Sequence, residues 1–169
     1  MSVYIIATGG TFDKAYDPID ERFEFGPDSI LPSLLEDCNV TNVSFHQCML
    51  LDSVNIKKSE RAKINRCVES AGHDRIVIVH GTSTMTDTAR FLAGVFPEKT
   101  LVLTGALYPV RYRQCEGSFN LGMAVAAARI LPPGVYITMQ GQVIRGEDAQ
   151  KDAATGRFHG KPVDGFETE

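Results

Sequence analysis

The chain has 169 residues, of which 43% are hydrophobic and 22% charged, and its formal net charge is -4. That is one globular domain by size, with apolar residues enough for a sizeable core. The acidic balance argues against nucleic acid or an anionic membrane as partner, no apolar run approaches membrane-spanning length, and no N-terminal run has the order of a signal peptide. Cys38, Cys48, Cys67 and Cys115 form no Cys-x-x-Cys pair, and no His stands at zinc spacing from two of them. The expectation is no metal, no cofactor and four reduced thiols in a cytoplasmic protein, with an oxidised pair left open by the sequence.

Val3 to Ala7 is short, apolar and β-branched, the pattern of a strand buried on both faces. It delivers Thr8-Gly9-Gly10-Thr11, where two glycines permit a sharp turn and close approach of a ligand. Arg22 to Phe25 alternates polar and aromatic residues, as a short extended piece does. Asp28 is placed to cap a helix running through Leu35, with Pro32 tolerated in its first turn. A second strand is expected from Val43 to about Leu51, followed by Asp52-Ser53, and a helix from Ser59 to a stop at Gly72. Arg75 to His80 is the clearest central strand and feeds Gly81-Thr82-Ser83-Thr84. A helix from about Thr86 to Ala93 follows. Thr100 to Thr104 is a fourth strand, leading into Gly105-Ala106, and Asn120 to Leu131 an alanine-rich helix. Val135 to Met139 is a fifth strand, which Gly141 turns towards Val143-Ile144-Arg145. Residues 1–159 are expected to form the domain and residues 160–169 a polar C-terminal tail.

Strands alternating with helices predict an α/β fold: a mostly parallel open sheet with helices on both faces, a Rossmann- or flavodoxin-like three-layer sandwich. Right-handed crossovers put every parallel strand's carboxyl end on one edge, where open sheets bind ligands. Thr11, Asp52-Ser53, Thr82-Ser83 and Thr104-Gly105-Ala106 therefore converge. Hydroxyls at that edge suit a nucleophile, which needs a base. There is no Gly-x-Ser-x-Gly turn. His46 and His80 end or occupy strands, while His73 and His159 fall in probable loops, so histidine catalysis is the weaker option. Lys151 and Tyr16 remain, although each also reads as an ordinary solvated lysine or loop-packing aromatic. Backbone N–H groups around Gly9-Gly10 and Gly81-Thr82 offer an oxyanion hole, which suits acyl transfer from a small amide or ester. Phosphate binding ranks lower, because neither glycine-rich nucleotide spacing is present.

Ala7-Thr8-Gly9-Gly10-Thr11 and His80-Gly81-Thr82-Ser83-Thr84-Met85 resemble the two signatures of bacterial L-asparaginases. Leu103-Thr104-Gly105-Ala106, Phe119-Asn120-Leu121 and the Gly-x-Asp-x-x-Lys of Gly146 to Lys151 extend the resemblance from the N-terminus to about Phe158. It implies hydrolysis of L-asparagine, with variable activity on glutamine, through an acyl-threonine, with no cofactor and in a homo-oligomer. By the same resemblance Thr11 looks like the nucleophile, Tyr16 the tyrosine of the lid, and Thr82 and Lys151 the pair that activates water or nucleophile. Ser53 looks like the residue that grips the substrate's α-carboxylate, and the Ala106 carbonyl like the acceptor for the leaving amide.

Two departures stand out. Most of the family carries Asp where this sequence has Ser83, and Asp52 is the proposed substitute for binding the α-ammonium. Typical members are about twice as long, and their second domain donates an acid to a neighbour's site. The expectation is a short-chain, single-domain asparaginase in which Asp13, Lys14 or another subunit replaces that acid beside Tyr16. The alternatives are a non-catalytic asparagine- or aspartate-binding module and an amidase subunit that hands ammonia to a partner.

Overall fold

The structure, a computed structural model, describes residues 1–163. The fold is built around β1 (Val3–Gly9). It pairs in parallel with β4 (Val43–Leu51) on one side and β5 (Arg75–Val79) on the other. β6 (Thr100–Thr104) and β7 (Gly134–Met139) add in parallel beyond β5, and β8 (Gln142–Arg145) closes that side antiparallel. The order β4-β1-β5-β6-β7-β8 is the flavodoxin-like one with an antiparallel edge. The chain reverses direction across the sheet between β1 and β5. At such a switch point the loops leaving the two strands run to opposite faces of the sheet, which opens a crevice at their carboxyl ends.

Strand alternation divides the core. Ile5, Ala7, Val77, Val79 and Val102 face α1 (Leu31–Asp37) and α4 (Gly117–Ile130). Ile6, Ile76, Ile78, Leu101 and Leu103 face α2 (Lys58–Ser70) and α3 (Met85–Leu92). Burial on both faces explains why these strands read as continuous apolar runs.

Local detail corrects some boundaries. β1 continues past Ala7 to Gly9, so Thr8 lies in the strand, its hydroxyl donating to Val79 O at 2.9 Å. Asp28 does not cap α1. The N-cap is Ile30, without a side-chain cap, and Leu31 N donates to Ser29 Oγ at 3.2 Å. β5 ends at Val79, leaving His80 just beyond it, and α4 starts at Gly117, before the expected Asn120. β2 (Lys14–Asp17) and β3 (Arg22–Phe25) form a hairpin outside the main sheet, and β9 (Gln150–Lys151) pairs with β10 (Phe158–His159) in another. The expected tail is partly sheet: Arg145 N donates to Lys161 O and Val163 N to Val143 O, and Val163 is buried. The remainder of that tail, 164–169, lies outside the described residues.

No helix among the described residues is long and apolar enough to cross a membrane. All four cysteines are free thiols. Cys48 Sγ lies 2.8 Å from Cys67 Sγ, and burial together with that neighbour pushes the Cys48 thiol up to about 12.

Candidate active site

The crevice is assembled by backbone packing of two strand ends. Gly10 has φ 78° and ψ -176°, a region open essentially only to glycine. A Cβ there would lie 2.3 Å from Gly81 Cα, so the loops leaving β1 and β5 touch backbone to backbone. Gly81 in turn leaves no room for a side chain, because Ser53 Oγ would be 2.6 Å from its Cβ. Three loops thus meet at Gly10, Gly81 and Ser53, and each is followed by polar side chains. Thr11 opens a single 3-10 turn, Thr11–Asp13, and lines a cleft of about 610 Å³ together with Lys14, Phe23, Leu107 and Tyr112.

Lys151 Nζ donates to Thr82 Oγ1 at 2.9 Å, across a separation of 69 residues. Thr82 is buried, and burial lowers the Lys151 pKa from its ordinary value. The short β9–β10 hairpin holds Lys151 there, with the ammonium 5.8 Å from the centroid of the Phe158 ring. Ser53 is buried, its Oγ accepting from Ser83 N at 3.1 Å and its carbonyl from Thr84 Oγ1 at 2.7 Å. Ser83 is exposed and lines a smaller pocket beside Lys151 and Asp87. Ala106 is buried two residues past the end of β6 and one residue before Leu107 of the Thr11 cleft.

Several expected roles change. Gly10 N donates to Leu51 O at 2.9 Å, so it is not available to an oxyanion. The amides of Thr11 and Thr82 meet no backbone acceptor among the described residues. Asp52 is not free for a substrate ammonium: its Oδ2 accepts from Lys14 Nζ at 2.6 Å, and that bond, the largest cause, holds the Asp52 carboxyl below the usual range. Tyr16 stands 48% exposed on β2, edge-on to Phe23 at 5.5 Å between centroids, and does not line the Thr11 cleft. Asp13 and Lys14, the expected partners for Tyr16, are both engaged elsewhere.

Asp13 emerges as an anchor, a role that the sequence did not single out. It is buried, and its Oδ1 accepts from Ser29 Oγ at 2.6 Å and Ile30 N at 3.0 Å. Burial raises its pKa despite those bonds. It ties the Thr11 turn to the start of α1. Asn120 does the same for the loop after β6, its Nδ2 donating to Gly105 O at 2.9 Å and its Oδ1 accepting from Gln140 N at 3.1 Å. An Asp close behind a strand-end turn and an Asn in the first turn of an alanine-rich helix were the available signals.

His80 is a core residue. It is fully buried, with Nδ1 2.7 Å from Gly81 O and Nε2 2.9 Å from Thr88 Oγ1, and burial pulls its pKa down to about 4. Between that value and the ordinary histidine pKa the unfolded protein binds a proton that the native state refuses. Stability therefore falls as pH drops through this window, by about 3 kcal/mol at most. Urea midpoints at neutral pH and at pH about 4.5 are expected to separate more for wild type than for His80→Gln. Equal acid losses in the two proteins contradict this assignment.

The family model described as Asparaginase, N-terminal, matches residues 2–161. A probable periplasmic L-asparaginase of Haemophilus influenzae is 29% identical over 170 aligned positions, covering 94% of this chain and 49% of that protein. A glutaminase-asparaginase of Pseudomonas aeruginosa is 31% identical, covering 89% of this chain and 45% of its own length. Among solved structures, the thermostable L-asparaginase from Thermococcus kodakarensis superposes with a TM-score of 0.81 at 25% identity, covering 99% of this chain and 55% of that one. The chain spans about half the length of the curated relatives it matches.

Proposed function

The chain belongs to the asparaginase family, and on that premise we propose that it hydrolyses L-asparagine to L-aspartate and ammonia through an acyl-threonine on Thr11. The observation that carries the reading is the 2.9 Å hydrogen bond from Lys151 to Thr82, one residue beyond the Gly10–Gly81 contact that brings Thr11 to the same crevice.

Thr11 Oγ1 attacks the carboxamide carbon and loses its proton to the Thr82–Lys151 pair. The amide nitrogen takes a proton and leaves as ammonia. Water, deprotonated by the same pair, then cleaves the ester and restores Thr11. The Thr11 and Thr82 amides are the available donors for the oxyanion. Ser53 binds the substrate's α-carboxylate and Ser83 accepts from its α-amine, with Gly10 giving the close backbone approach and the Ala106 carbonyl receiving the leaving amide. Asp52 serves by fixing Lys14 at the cleft rather than by meeting the substrate directly. Tyr16 enters catalysis by closure of the β2–β3 hairpin over Thr11, since it stands outside the cleft beside Phe23. A homo-oligomer is supported by the exposed Phe119 and Ile130 on α4.

Neutral Lys151 is the base, so kcat/KM is expected to rise with pH through a lysine pKa below its ordinary value, the direction set by burial. Lys151→Met is expected to lose about 10²–10⁴-fold and to flatten the profile. A flat wild-type profile from about pH 6 to 10 contradicts a titrating lysine.

A further inference from the structure

Two of the four thiols meet. Cys48 lies on β4 and Cys67 near the end of α2, with 19 positions between them in number, and Cys67 Sγ donates to Cys48 Sγ at 2.8 Å. The other two stand apart. Cys38 is exposed where α1 ends, and Cys115 Sγ donates to Tyr108 O at 2.9 Å and accepts from Gly117 N at 3.1 Å. Core packing sets the meeting. Ile64 and Val68, on the same helix as Cys67, are buried in one cluster with Cys48, Met49 and Ile6. A helix and a strand packed in this way hold the two sulfurs face to face. A disulfide is about 2.05 Å long, so the bond asks only a small further approach of the two side chains.

Access to the pair is graded. Cys48 is buried, whereas Cys67 is partly exposed. A dissolved oxidant therefore meets Cys67 first. Lys63 and Arg66 place positive charge near Cys48, which favours an anionic reagent. Burial and the neighbouring thiol hold Cys48 up to about 12, so it is a poor target for a reagent in solution. Its contact with Cys67 suits it instead to resolve a mixed disulfide formed there.

We propose that Cys48 and Cys67 are a site of reversible oxidation, joined as a disulfide by small anionic disulfides such as oxidised glutathione, and that the bond staples β4 to α2. Cys67 loses its proton and attacks one glutathione sulfur. The glutathione S–S bond breaks, and the released thiolate takes up a proton. Cys48 then loses its proton and attacks Cys67 Sγ. The mixed disulfide breaks, and the second glutathione leaves as a thiol. Two protein thiols are oxidised and one glutathione disulfide is reduced to two thiols. The closed segment carries Asp52 and Ser53, and a cross-link across it restricts the unfolded chain. This assignment is independent of the amidohydrolase reading.

The test uses the full chain carrying Cys38→Ser and Cys115→Ser, which keeps only this pair. The reduced protein, freed of reductant, is incubated with oxidised glutathione and weighed intact by mass spectrometry. The expected product has lost two hydrogens, retains no glutathione and offers no thiol to alkylation after unfolding. Its urea midpoint is expected to rise by about 1 M or more, and dithiothreitol is expected to reverse every change. Wild type is expected to show the same gain in midpoint. Adding Cys48→Ala is expected to stop the reaction at a glutathione adduct on Cys67, and adding Cys67→Ser to give neither adduct nor bridge. Two thiols still open to alkylation, or two adducts in place of a bridge, overturn the pairing. A bridge that forms no faster in the folded protein than in urea-unfolded protein overturns the role of the packing. A bridge with an unchanged or lower midpoint overturns the staple.

Discussion

Gly10→Ala is expected to abolish activity and to lower stability by roughly 3 kcal/mol or more. Two costs combine. The backbone at Gly10, φ 78° and ψ -176°, is strained for any residue with a Cβ. The added methyl carbon would then sit 2.3 Å from Gly81 Cα and 2.5 Å from Gly81 N, both backbone atoms and neither able to swing aside. Relief requires the β1 and β5 loops to separate, and that separation takes Thr11 away from Thr82. Gly94 supplies the control. It also has a positive φ, 75°, but nothing lies within 4 Å of its Cβ position. Gly94→Ala is expected to cost only about 1 kcal/mol and to keep activity. Urea unfolding of both variants measures the difference. Equal losses show that backbone strain alone, not the contact between the loops, sets the requirement at Gly10.

Thr11→Ala is expected to lower kcat by at least about 10³-fold with little change in fold, as loss of a nucleophile does. Thr11 is half-buried on the cleft wall, in a turn held by Asp13 rather than by its own hydroxyl. Removing the hydroxyl therefore leaves the anchor in place. Thr11→Ser keeps the attacking oxygen and is expected to retain far more activity than Thr11→Ala. Thr11→Val keeps the shape without the oxygen and is expected to behave like Thr11→Ala. A Val variant as active as wild type assigns Thr11 to packing and moves the nucleophile elsewhere.

The sheet was legible because its chemistry is local and periodic. Buried parallel strands such as Ile76 to Val79 announce themselves as unbroken β-branched runs. The edge that gathers Thr11, Ser53 and Thr82 follows from handedness once the strands are placed. Side-chain partners over long separations were not legible. Nothing local to Asp52 says that Lys14, 38 residues away, occupies its carboxylate, or that Ser29 takes the oxygen of Asp13. Spacing alone put Tyr16 five residues past Thr11. It did not say that a hairpin would turn the ring towards Phe23 and away from the cleft. The Lys151–Thr82 contact came through the family resemblance, and the β9–β10 hairpin supplies its physical cause.

The role of Thr11 as nucleophile is tested most directly by ammonia release from L-asparagine, measured for wild type and Thr11→Ala side by side at one alkaline pH. Circular dichroism of both proteins accompanies the assay. Release by wild type and a loss of at least about 10³-fold in a folded Thr11→Ala protein are expected. Equal release by the two proteins contradicts an acyl-threonine at this position.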